Sequence, residues 1–230
     1  MLIARSSLWK VLLSMLVMAI AEAAVFYLRT AEKSVGLEAA FENSFTPYIF
    51  ALAFIIITMF LCITGSEFGS KTGYTIKRLS ITEKSVFYWQ WFYNSSVYLM
   101  LLAVQIAVSL GLCELYKELI DPQYVTNQTV FLAYYRSEFL HGLLPLGDTT
   151  RWIRNAFLIV TLGASSAFFP YRNRRQKQSL EIVAAAIYTF IFFCGGLGEI
   201  TTDILLCFFS TVILITISAK MHIRWDEDEA

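Results

Sequence analysis

The chain has 230 residues, of which 57% are hydrophobic and 16% charged, and its formal net charge is zero. Soluble domains carry about 25% charged residues. The neutral balance implies no general attraction to nucleic acid, and so apolar a composition leaves no room for a soluble catalytic domain. An all-α membrane protein is expected, with residues 1–230 forming one transmembrane domain.

Six apolar runs follow one another in chain order, at about 8–28, 47–63, 86–112, 152–169, 180–195 and 199–219. Most are long enough to cross roughly 30 Å of hydrocarbon as helices, and the fifth must borrow flanking residues. The first run resembles a secretory signal. Arg5 and Lys10 precede it, and Ala21-Glu22-Ala23 looks like a cleavage site. Apolar character resumes from Ala24 to Leu28, so a retained first span is expected.

The connecting segments set an orientation. The N-terminus, the second loop, the fourth loop and the tail hold twelve Lys and Arg, and the first, third and fifth loops hold six, Arg151 and Arg154 among them. The positive-inside rule then puts both termini in the cytoplasm. Tyr88, Trp89, Trp91 and Tyr93 cluster where the third span begins, as expected of interfacial anchors. Between the third and fourth spans, residues 130–144 are too apolar for a free loop and too polar for a span. They predict an external amphipathic element, interfacial or re-entrant, ended by Pro145.

Known catalytic patterns are absent. The chain has no G-x-x-x-x-G-K-[ST] phosphate loop, no H-E-x-x-H and no G-x-S-x-G, so no enzymatic activity of its own is expected. Cys62, Cys113, Cys194 and Cys207 show no metal-ligand spacing and read as reduced, small hydrophobic residues. Gly195-Gly-Leu-Gly198 reads as a tight external turn.

Three carboxylates stand out. Glu22 lies inside the first span, where a bare charge is costly, commonly ~2.5–3.5 kcal/mol at the membrane centre. It would either contact a translocation path or a neighbouring subunit, or serve structurally by snorkelling or hydrogen bonding. Glu199 and Asp203 are four residues apart and share a helical face at the start of the sixth span. They would form a negatively charged mouth, or they would suit the positive end of the helix dipole.

The second loop, 65–84, combines small residues with a short amphipathic stretch. Tyr74, Leu79 and Ile81 alternate there with Lys77, Arg78 and Lys84. Its order is Glu67-Phe68, then Gly73-Tyr74-Thr75-Ile76, then Leu79-Ser80-Ile81-Thr82. This order resembles the coupling-helix region of type-2 ABC exporter permeases. It differs by extra residues after Glu67, by the lack of the family's proline, and by a larger external element after span three rather than span five.

The resemblance implies the permease subunit of an exporter in a bacterial plasma membrane. It implies a separate ATPase subunit that binds ATP and magnesium, and a second permease chain, identical or different, completing the path. It also assigns Glu67, Gly73, Tyr74, Arg78 and Leu79 to a cytoplasmic coupling helix. A rival reading is a non-transporting membrane assembly or immunity factor acting through protein contacts.

Because the loops differ in Lys and Arg content, a single cysteine at position 74, in a background without the native cysteines, should resist impermeant thiol reagents in intact cells. Rapid labelling from outside would reverse the orientation.

Overall fold

The computed structural model describes residues 2–30, 36–63, 83–120, 127–173, 182, 183, 187 and 200–228. Among them are eight helices and no strand: α1 (Leu2–Thr30), α2 (Leu37–Asn43), α3 (Thr46–Ile63), α4 (Glu83–Leu119), α5 (Asn127–Arg136), α6 (Glu138–Leu143), α7 (Thr149–Asn173) and α8 (Ile200–Asp228). Five of these, α1, α3, α4, α7 and α8, are long and apolar enough to cross a membrane. They coincide with the first, second, third, fourth and sixth runs. The fifth run, the coupling segment and Glu199 lie almost wholly or wholly outside the described residues.

Side-chain contacts fix the helix directions. Ser7 bonds Tyr93, Glu22 bonds Gln105, and Phe26 meets Tyr116 edge-on, so α1 and α4 run parallel. On α4 and α7, Asn94 bonds Ser166 and Phe87 packs on Tyr171, so these two run antiparallel. Arg154 pairs with Asp203 near the starts of α7 and α8. Phe168 and Tyr171 share a cluster with Ile217 and Met221 near their ends. The helices α7 and α8 are therefore parallel. The start of α1 and the end of α8 lie at one end of the bundle, called the lower end here, together with the end of α3 and the start of α4.

Three apolar clusters stack along the bundle. The central one joins Met15 of α1, Phe54 and Ile57 of α3, Leu101 of α4, Leu162 of α7 and Leu206 of α8. The upper one gathers Phe26, Phe41, Tyr116 and Leu140. The lower one centres on Phe87, Phe168 and Tyr171. Outward faces are also apolar: Leu16, Ile20, Leu52, Met59, Phe92, Ile204 and Phe208 are all exposed, as a hydrocarbon solvent requires.

Small residues set how closely α4 and α7 approach. Gly163, Ala164, Ser165, Ser166 and Ala167 are all buried on α7. Added to Gly163, a Cβ would collide with the Ser95 hydroxyl and lie 2.9 Å from the Ser95 backbone nitrogen. Close approach lets dispersion and hydrogen bonding hold helices together where lipid removes the hydrophobic drive.

Three sequence expectations change. The third long helix does not end with its apolar run at about residue 112, because α4 continues to Leu119. Leu112, Cys113 and Tyr116 pack into the upper cluster, and the Glu114–Lys117 pair at 2.8 Å supports the extra turn. At 37 residues, α4 is about 55 Å long, well beyond the hydrocarbon thickness. The segment between the third and fourth spans is two helices, not one. Ser137 breaks it, and Leu140 and Leu143 insert into the upper and central clusters before Pro145. Only two of the four aromatic anchors point outward: Trp89 and Tyr88 are exposed, whereas Trp91 donates to the Val160 carbonyl at 3.0 Å and Tyr93 bonds Ser7. Helical rotation between positions 88 and 93 divides them.

Two turns carry left-handed backbone. Gly147, at φ 88°, precedes α7, and Phe45, at φ 55°, links α2 to α3. The Phe45 conformation is costly for a non-glycine residue. Ser44 steadies it by donating to the Phe41 carbonyl and bonding Thr46, and Arg29 lies 5.5 Å over the Phe45 ring.

Gly163→Ala should lower stability by roughly 1–3 kcal/mol, the usual range for overpacking. Unfolding in mixed micelles checks this. Adding Ser95→Ala should recover only part of the loss, because the backbone atoms of Ser95 remain in the way.

Candidate functional site

Two polar constellations are buried between the long helices. The first joins α1 to α4. Glu22 and Gln105 are both 0% exposed, and the Gln105 amide donates to Glu22 Oε2 at 2.9 Å. Glu22 therefore does not snorkel to an interface; it faces the bundle and meets a partner on another helix. One turn along α4, Ser109 bonds the Tyr134 hydroxyl of α5 at 2.8 Å. Burial pushes that phenol up to about 12.

The second constellation sits at the upper end. Arg154 of α7 and Asp203 of α8 form a buried ion pair, 2% and 3% exposed. Arg154 also donates twice to Asn155 Oδ1, at 3.3 and 3.1 Å. The Asn155 amide in turn donates to the Gly142 carbonyl of α6 at 3.0 Å. Nearby, His141 Nε2 donates to Asp148 at 2.8 Å, and Arg151 stands 3.6 Å from the same carboxylate. The His141 hydrogen bond, helped by the charges of His141 and Arg151, holds the Asp148 carboxyl below its usual range.

Asp203 is thus charge-compensated inside the bundle, not a free charge lining a mouth. Arg154, counted in sequence as an external loop charge, belongs to the interior of α7. One removed partner would leave the other ion bare, the costly case for buried pairs.

Sequence reasoning reached Glu22 and Asp203 but missed Gln105, Arg154, Asn155 and His141. Gln105 carried a usable signal, being the sole strongly polar residue between Tyr98 and Ser109. Arg154 carried none, because a basic residue at the edge of an apolar run looks the same whether it faces water or a carboxylate. Glu67, Gly73, Tyr74, Arg78, Leu79 and Glu199 lie outside the described residues. Cys62, Cys113 and Cys207 are free thiols. Among the described residues, no group of three or more His, Cys, Asp and Glu is placed to hold a metal ion.

Comparison with protein-family models, curated proteins and solved structures gives no match to this chain.

Arg154→Leu should destabilise the bundle by about 3–5 kcal/mol, since it strands a buried carboxylate. The double change Arg154→Leu, Asp203→Leu should be milder than the single one. Unfolding midpoints in micelles decide it; a double variant worse than the single one would mean that the pair contributes beyond mutual neutralisation.

Proposed function

We propose that this chain is the membrane-spanning permease subunit of an ABC exporter in a bacterial plasma membrane, working with a separate ATPase and a second permease chain. The observation that carries the reading is the order of Glu67, Gly73, Tyr74 and Leu79 in the sequence between α3 and α4; the end of α3 and the start of α4 lie at the end of the bundle where both described chain ends lie.

Six crossings are part of the proposal. The end of α7 and the start of α8 lie at opposite ends of the bundle, and a crossing by residues 174–199 would join them. As a helix, a segment of that length reaches about 39 Å, enough for a crossing. The Lys and Arg excess at the lower end then supports cytoplasmic termini.

In this reading the chain does no covalent chemistry. Nucleotide binding closes the ATPase dimer, and the α3–α4 segment passes that closure to the spans. The work is a shift between two bundle arrangements, driven by a partner that binds one of them better. Contacts such as Arg154–Asp203 and Glu22–Gln105 are ones a rearrangement would make or break. Tyr74 and Leu79 would anchor the docking surface, since buried aromatic and aliphatic groups dominate interface energetics. Arg78 would face acidic groups on the ATPase and set association rate and salt sensitivity.

Tyr74→Ala combined with Leu79→Ala should release a copurifying ATPase, or uncouple its hydrolysis from transport, and leave the spans folded. Pull-down from native membranes and ATPase assays in proteoliposomes read both. A double variant with wild-type ATPase binding and hydrolysis would remove the coupling role from this segment.

A further inference from the structure

Glu22 and Gln105 present an unusual set of atoms. Gln105 Nε2 donates to Glu22 Oε2, and two oxygens remain, Glu22 Oε1 and Gln105 Oε1, both buried without a hydrogen-bond partner. Both are acceptors when Glu22 is ionised. A neutral carboxylic acid has one O–H to donate. Paired with a carboxamide, it makes two bonds: amide N–H to acid carbonyl, and acid O–H to amide carbonyl. The first bond is present, and the two orphaned oxygens are the pair that the second would join.

We propose that Glu22 and Gln105 form a proton-binding site between α1 and α4, in which Glu22 is held as the neutral acid and donates to the Gln105 carbonyl. The surroundings agree. Along α1, Met18 and Phe26 flank Glu22 by one turn on either side and are buried. Packed against α1, α3 carries no charged residue from Thr46 to Ile63. Several titratable groups of neighbouring elements are engaged elsewhere: Tyr98 of α4 with Thr58, Lys117 of α4 with Glu114, Tyr134 of α5 with Ser109, Glu38 of α2 with Arg136, and His141 of α6 with Asp148; Cys62 and Cys113 are neutral free thiols. Among the described residues, no cation pairs with Glu22. An ionised Glu22 would be an uncompensated charge in apolar surroundings.

The site has a consequence for motion. Separation of α1 from α4 would break both bonds and admit water; the proton would pass to that water and leave the carboxylate. Proton retention is thereby coupled to α1–α4 closure, whatever the bundle transports.

Infrared spectroscopy of the purified chain in lipid nanodiscs at neutral pH tests this. The wild-type minus Glu22→Gln difference should show a carboxylic acid C=O band that moves down in deuterium oxide. Gln105→Leu should move that band to higher frequency, because the acid loses its acceptor. Glu22→Gln should fold like wild type, since its own amide N–H replaces the acid O–H toward Gln105. Carboxylate bands in the difference spectrum, as from an ionised Glu22 holding a metal cation, would overturn the proposal. So would an acid band indifferent to Gln105→Leu, or a Glu22→Gln variant that cannot fold.

Discussion

Several polar side chains that the long helices carry into the bundle meet their partners on another helix, because hydrocarbon supplies none. That constraint organises the structure more than apolar packing does. Apolar contact is nearly as good with lipid as with another helix, so it cannot by itself choose which faces turn inward. The polar contacts can. Ser7–Tyr93 and Glu22–Gln105 set the register of α1 on α4. Tyr98–Thr58 ties α4 to α3, Asn94–Ser166 ties it to α7, and Arg154–Asp203 ties α7 to α8. The helix common to most of these is α4, and it is also the longest of the eight.

The two deeper constellations solve the same problem by different chemistry. At the upper end, opposite charges neutralise one another, and Asn155 relays the contact to the Gly142 carbonyl. Between α1 and α4, a carboxyl meets an amide that offers no charge. An ion pair resists separation by Coulombic attraction, and an acid–amide pair by two neutral hydrogen bonds. The α7–α8 contact is therefore sensitive to loss of either partner, and the α1–α4 contact to gain or loss of one proton.

The upper end is closed by more than loops. Leu140 and Leu143 project from the short α6 into clusters built by the long helices. The same element supplies Gly142 to Asn155 and His141 to Asp148. A movement of α7 against α8 would thus be felt by α6, and through Phe139, which packs on Phe50, by α3.

Composition and run length led to an all-α membrane protein with six spans; the described residues are helical, and five of their helices are long and apolar enough to cross a membrane, since hydrocarbon allows few other ways to satisfy a backbone. Glu22 was legible as unusual for the same reason: a carboxylate in an apolar run has a cost that needs no structure to see. The partners were not legible. Nothing in a one-dimensional pattern brings position 105 to position 22, or 203 to 154; helix direction, rotation and the close α4–α7 approach at Gly163 decide those meetings. Hydropathy also ended α4 too early, because it measures affinity for lipid, while the last turns of α4 are held by protein: Tyr116 by the upper cluster and Lys117 by Glu114 and Asn127. A sequence reports what each residue would prefer as solvent, and only the tertiary structure decides which neighbour takes the solvent's place.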